Sequence, residues 1–211
     1  MTPRTHHARL ACVALLATLA LGPAASANAK VVLDDGHVDV GSARIVGGKL
    51  RSYVKDSTSS RVIWRDPSTV ITRVVDNAKV RLPAGMSFIG SSGQTVWMIP
   101  QVQKSGVIWA GWNTEEISSR QIQGGIAWTL RRVNGPGRVV VFQTGSFGDE
   151  RVIFNSGERL PKTYTIPPGT HAHGNWAFTR KGTYTMAFTM SVRTKSGRTL
   201  SDDATLTFRI G

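Results

Sequence analysis

Apolar and polar side chains alternate with a period of two along much of the chain. Between residues 184 and 192 every second side chain is large and apolar, and the residues between them are Thr, Ala or Ser. This alternation predicts a β-strand with one buried face and one polar face. The pattern resumes at 204–210 after a turn at 195–198. The two strands are therefore predicted to form a long C-terminal hairpin.

Similar patterns occur upstream. Ile126, Trp128 and Leu130 alternate with Ala, Thr and Arg, and residues 139–142 form a continuous apolar run typical of a strand covered on both faces. Further short strands are predicted at 38–46, 49–55, 78–82, 95–99, 107–111, 163–166 and 176–179. Helical periodicity is nearly absent, and only 114–119 could form one short helical turn.

Many short strands separated by Gly-rich turns predict an all-β fold. The expected architecture is an antiparallel β-sandwich, immunoglobulin-like or jelly-roll-like, with almost no helix. The segment 30–211 contains no internal repeat and no low-complexity linker, and its length suits a single domain.

The first 29 residues have the features of a secretory signal peptide. Arg4 and Arg9 give a positive start, an apolar run covers 10–21, and Ala27-Asn28-Ala29 matches a signal-peptidase site. The apolar run is too short to remain as a membrane anchor. We expect cleavage after Ala29. No sorting tail follows the last strand pattern, so we expect a secreted protein associated with the cell surface without a covalent anchor.

Charge and cysteine content narrow the classes of partner. The formal net charge is +13, and removal of the two signal arginines leaves +11. This charge favours an anionic cell envelope over nucleic acid, because the protein is exported and its arginines do not cluster with aromatic residues. Cys12 is the only cysteine and lies in the signal, so any metal ligands of the mature chain must come from other residue types.

Two histidine-containing pairs are the strongest candidates for chemistry. His171 and His173 lie in "GTHAHGNW", and His37 and Asp39 lie in "DDGHVDVG". Residues i and i+2 of a strand point to the same face, so each pair could present two ligands together. If the two strands are neighbours, the four side chains form a zinc-type set; manganese and copper are the other candidate ions. Otherwise the histidines are exposed loop residues or hydrogen-bonded neighbours.

A second group of residues suggests a different kind of ligand. Acidic residues beside tryptophans are typical of sugar-binding surfaces, which makes a cell-wall glycan or a surface partner the alternative ligand. The residues of this alternative site are Trp109, Trp112, Glu115 and Trp176. A second interpretation of Glu115 and Glu116 is structural: they lie in the first turn after a capping Asn113 or Thr114.

The remaining tryptophans give no indication of a site. Trp97 and Trp128 lie within apolar alternation and are predicted to be core residues. The sequence contains no Ser-His-Asp order, nucleophile elbow or phosphate-binding glycine loop. We therefore expect a protein that is not an enzyme.

Four segments together resemble a family of secreted actinobacterial surface proteins. They are "LDDGHVDVG" (33–41), "VWMIPQVQKSGVIWAGWNTEEI" (96–117), "VNGPGRVVVF" (133–142) and "GTHAHGNWAFTRKGTYTM" (169–186). The family is that of the choice-of-anchor M domain proteins, also described as ABC transporter-associated anchored repeat proteins. The resemblance implies a cell-surface protein encoded beside an ABC transporter similar to zinc and manganese importers. Recurrent histidine positions of the family match His37, His171 and His173, whereas its larger members also carry an anchor.

These observations lead to one functional expectation. The protein is predicted to be an exported, non-enzymatic metal-binding protein that takes part in metal acquisition with a zinc/manganese-type ABC transporter or its binding protein. The glycan- or partner-binding module is the alternative, and a hydrolase that uses Glu115 or Glu116 is the third possibility.

Overall fold

The computed structural model describes Met1 and residues 29–211. Strands account for 58% and helix for 3% of these residues, which confirms the predicted all-β sandwich. The signal peptide predicted for residues 1–29 lies almost entirely outside the described residues. Within the described part, no helix combines the length and apolar character needed to cross a membrane.

Sixteen strands are formed by the described residues. They are β1 (Val31–Leu33), β2 (Gly36–Val46), β3 (Lys49–Ser57), β4 (Ile63–Arg65), β5 (Val70–Val74), β6 (Lys79–Arg81), β7 (Thr95–Ile99), β8 (Ile108–Asn113), β9 (Ile122–Asn134), β10 (Val139–Thr144), β11 (Glu150–Asn155), β12 (Lys162–Ile166), β13 (His171–His173), β14 (Asn175–Phe178), β15 (Gly182–Thr194) and β16 (Thr199–Ile210). The only helical turns in this part of the chain are 3₁₀ turns at Pro67–Thr69 and Asp76–Ala78.

The strands form three sheets. The first has the order β1-β5-β16-β15-β9-β12, the second β11-β10-β14-β7-β6 and the third β13-β8-β2-β3-β4. Most neighbours are antiparallel, but β1 with β5, β5 with β16, and β2 with β8 are parallel. The third sheet carries the candidate site, because it brings β2 and β13 to opposite sides of β8.

The long strands follow their predicted alternation. β15 and β16 pair from Gly182 with Ile210 to Arg193 with Thr199, which confirms the C-terminal hairpin. The large apolar side chains of 184–192 are buried, whereas those between them remain partly accessible. All four residues of 139–142 are buried, as expected for a strand covered on both faces.

One cluster of buried side chains joins the three sheets. At its centre, the Trp128 ring lies 5.9 Å from that of Trp112 and 6.2 Å from that of Trp176, with Phe154 and Phe188 closer still. Trp97 is also buried, so both tryptophans predicted to be core residues are confirmed as such. A smaller apolar cluster lies on β7, β10 and β14 and includes Phe142.

Candidate metal centre

The site lies on three adjacent strands of the third sheet. The strand between the other two is β8. It pairs in parallel with β2, where Asp39 lies opposite Gly111. It pairs antiparallel with β13, where His173 lies opposite the same glycine. His37 lies two residues before Asp39 on β2, and His171 lies two residues before His173 on β13, so each pair shares one face of its strand. Two segments separated by more than 130 residues therefore meet across a single residue of β8.

Gly111 makes this meeting possible because it has no side chain. A β-carbon at position 111 would lie 2.6 Å from Asp39 Oδ1 and 2.8 Å from His173 Cε1. It would also lie 2.6 Å from the carbonyl oxygen of Ala172. Real β-carbons do not approach other atoms this closely, so any larger residue would separate the ligand strands.

Four potential ligand atoms converge above Gly111. They are Nε2 of His37, His171 and His173 and Oδ1 of Asp39, and all lie within 4.8 Å of one another. His37 Nε2 lies 3.1 Å from His171 Nε2, which lies 3.2 Å from His173 Nε2. Asp39 Oδ1 lies 3.2 Å from both His37 and His171 and 3.7 Å from His173.

Five of the six separations between these atoms are close to the edges of a zinc tetrahedron. Ligands placed tetrahedrally at about 2.0–2.1 Å from a zinc ion are roughly 3.3–3.4 Å apart. The five separations given above range from 3.1 to 3.7 Å and lie around that value. Nitrogen and carboxylate oxygen are also the donors that zinc accepts in proteins. This set of side chains could therefore hold a metal ion without large rearrangement.

The carboxylate of Asp39 is fixed so that one oxygen faces the histidines. Its side chain is fully buried, and its second oxygen, Oδ2, accepts a hydrogen bond of 3.1 Å from Asn113 Nδ2. Lys55 Nζ lies 4.0 Å from the same oxygen. Because Oδ2 is engaged on the far side, Asp39 presents a single ligand atom, Oδ1.

Trp109 forms one wall of the site. Its indole stacks on the His173 imidazole with 3.7 Å between centroids and 9° between planes. Its Nε1–H donates to the carbonyl of Gln101, and the carbonyl of His173 accepts from Gln143. These contacts hold the His173 ring in one orientation, with Nε2 towards the other ligand atoms.

Burial keeps His173 in the form that binds metals. The pKa of its imidazole is lowered to about 4, mainly by loss of solvation; the Asp39 carboxylate opposes this shift, and the nearby His37 and His171 add to it. A neutral imidazole has a free lone pair for a metal ion. His173 is thus ready to act as a ligand at neutral and mildly acidic pH.

Glu115 and Glu116 lie in a turn after β8 and point in different directions. The backbone N–H of Glu115 donates to Asn113 Oδ1, in agreement with the capping interpretation. The Glu115 side chain also accepts from Asn113 Nδ2 and from Lys55 Nζ, and both bonds lower the pKa of its carboxyl. Its other oxygen lies 4.0 Å from His171 Nδ1. Glu116 instead pairs with Arg44.

The alternative ligand surface is not formed as predicted. As residues of a ligand surface, Trp112 and Trp176 would have to be at least partly exposed, but both are fully buried. Nearby glycines make room for this indole packing: a β-carbon at Gly174 would lie 3.1 Å from Trp112 Cη2, and one at Gly41 would lie 2.7 Å from Trp128 Cζ2. Of that group, only Trp109 and Glu115 lie at the surface, beside the histidines.

The structure adds three residues that the sequence pattern did not identify as part of this site: Lys55, Gly111 and Asn113. Asn113 and Lys55 act through Asp39 and Glu115, and such outer contacts have no fixed spacing in a sequence. Gly111 did carry a signal, since an isolated glycine in a strand often marks a close approach of neighbouring groups.

No protein-family model, curated protein or solved structure matches this chain. The geometry of the four side chains therefore carries the functional argument.

Proposed function

We propose that the protein binds one divalent transition-metal ion through Nε2 of His37, His171 and His173 and Oδ1 of Asp39. The observation that carries this proposal is the convergence of these four atoms within 4.8 Å. Without an ion, these atoms can only share hydrogen bonds among themselves, in an arrangement set by which ring nitrogens carry the protons. A bound cation satisfies them together.

Zinc is the ion that the donor set favours. Three nitrogens and one oxygen in a tetrahedral arrangement suit Zn²⁺, which has no geometric preference of its own. Manganese prefers more oxygen ligands and a larger coordination number, and Cu²⁺ prefers a flattened, tetragonal site. The four atoms provide no sulfur, which Cu⁺ would prefer.

The proposed role is binding and not catalysis. Catalytic zinc sites use three protein ligands and keep the fourth position for water or substrate. Here four side chains would fill a tetrahedron. This supports a protein that captures or holds the ion, and we propose that it is not an enzyme.

We further propose that binding serves metal acquisition outside the membrane. The signal-like N-terminus supports export, and the family resemblance supports action beside a zinc/manganese-type ABC transporter or its binding protein. The net charge of +11 expected after signal removal would favour an anionic envelope as the surrounding surface. Partial exposure of His37 and His171 would let the ion enter directly from solvent.

Calorimetric titration with Zn²⁺ at neutral pH tests the proposed function. Protein purified without a histidine tag should bind one equivalent, and His173→Ala should lose most of the affinity because the chelating pair on β13 is broken. Glu116→Ala is the matched control, since its carboxylate pairs with Arg44 away from the site, and it should bind as the wild type does. Unchanged affinity in His173→Ala would remove the histidine cluster as the site.

A further inference from the structure

The four side chains of the site differ sharply in their exposure to solvent. The side chain of Asp39 is fully buried and that of His173 is 8% exposed, whereas His37 is 22% and His171 is 32% exposed. Stacking of Trp109 on His173 closes the buried side. The accessible side of the cluster is therefore the side of His37 and His171.

Of these two exposed histidines, His171 has the weaker support. It begins β13, a strand of three residues at the edge of the third sheet whose single neighbour is β8. His37 belongs to the eleven-residue β2, which has β8 on one side and β3 on the other. Edge strands that pair on one side have fewer hydrogen bonds to resist displacement. His171 is therefore the ligand most able to move.

A charged group stands beside the outer nitrogen of His171. Glu115 Oε1 lies 4.0 Å from His171 Nδ1, and the same carboxylate is held by Lys55 Nζ at 2.9 Å and Asn113 Nδ2 at 2.7 Å. Metal-binding histidines commonly donate their second N–H to a carboxylate, which orients the ring. Here the separation is longer than a hydrogen bond, so the hold on His171 is loose.

We propose that His171 is the exchangeable ligand of the site, and that a metal-accepting protein takes the ion by placing its own imidazole or carboxylate on this exposed edge. This proposal rests on the metal binding proposed above. Asp39 and His173 keep the ion in place until the new ligand is bound. Glu115 is a positioning residue that slows the departure of His171.

The exchange step is balanced without any further reactant. The incoming imidazole or carboxylate donates a lone pair to the ion and forms a new bond. The bond to His171 Nε2 then breaks, and its electron pair stays on that nitrogen. His171 leaves as a neutral imidazole whose Nδ1–H faces Glu115, so no proton has to be transferred.

Stopped-flow transfer of Zn²⁺ from the loaded protein to pyridylazoresorcinol, a coloured chelator with nitrogen and oxygen ligands, tests this proposal. The transfer rate should rise in proportion to chelator concentration, because the new ligand must bind before His171 leaves. His171→Ala should transfer roughly tenfold faster or more, and His37→Ala should be accelerated less. Glu115→Gln should transfer several-fold faster with little change in thermal stability, whereas Glu116→Gln should match the wild type.

Two results would overturn the exchange proposal while leaving metal binding intact. One is a transfer rate independent of chelator concentration, which would mean that the ion dissociates first. The other is equal acceleration by His37→Ala and His171→Ala. A wild-type protein that takes up no Zn²⁺ in calorimetry would instead refute the proposed function itself.

Discussion

The surroundings of His173 keep its imidazole in the neutral form. Its imidazole packs face to face on Trp109, and burial lowers its pKa to about 4. The unfolded chain exposes the same imidazole, which then has the ordinary pKa of about 6.5. The neutral form that a metal requires is therefore stabilised by the fold, before any ion arrives.

This shift predicts a pH dependence of stability for the metal-free protein. Between about pH 6.5 and about pH 4 the unfolded state binds a proton at His173 that the folded state does not, so the free energy of unfolding falls as pH decreases through this window. Below about pH 4 both states are protonated and this contribution stays constant. Urea unfolding with a chelator present should show a steeper fall for the wild type than for His173→Gln. Parallel curves would contradict the assignment.

At the scale of the secondary-structure elements, β8 determines whether the site exists. Its Ile108, Ala110 and Trp112 face the core, while Trp109, Gly111 and Asn113 lie on the side of the ligands. The parallel partner β2 and the antiparallel partner β13 both meet it at Gly111. The distance between the His37–Asp39 pair and the His171–His173 pair is therefore set by the single strand, β8, that lies between them.

Two glycine substitutions can distinguish the effect of Gly111 on metal binding from a general loss of stability. Gly111→Ala should abolish tight Zn²⁺ binding, because the new methyl group collides with Asp39 Oδ1 and displaces β13. Gly125→Ala is the control: its β-carbon would lie 2.6 Å from the carbonyl oxygen of Ile166, between β9 and β12 and away from the ligands. Each variant should lose about 1–3 kcal/mol of stability. Calorimetry should show normal Zn²⁺ affinity in Gly125→Ala alone, and equal affinities in both would disprove the role of Gly111.

At the scale of the whole molecule, the charge and the N-terminal pattern bear on where the protein acts. The formal net charge of +13 favours contact with anionic surfaces, in keeping with the position outside the membrane that we propose. This placement depends on the signal peptide, which the sequence predicts and which lies outside the described residues.

Mass spectrometry of protein recovered from the producing cell tests that placement. The mature N-terminus should be Lys30, because Ala27-Asn28-Ala29 provides the cleavage site. No fatty acid should be attached at Cys12, which cleavage removes. A mature chain that begins at a lipid-modified Cys12 would show that the protein is anchored to a membrane and would contradict the predicted cleavage after Ala29.

The sequence by itself determined the all-β class, most of the strands and the identity of the four ligand candidates. Alternation with a period of two depends only on neighbouring residues, so the long strands β9, β15 and β16 could be predicted from the sequence alone. β1 and β4, with three residues each, are too short to show a period, and β5 and β11 were also missed. The histidines stood out because 30–211 contains only three, and each belongs to an i, i+2 pair.

Only the tertiary structure decided which of these strands meet. The parallel pairing of β2 with β8 and the insertion of Gly111 between Asp39 and His173 depend on contacts between residues far apart in the chain. The same long-range packing buried Trp112 and Trp176, which the sequence had placed in the alternative ligand site. Periodicity specifies which face of a strand is apolar, but the partner of that strand is selected by how all the faces pack together.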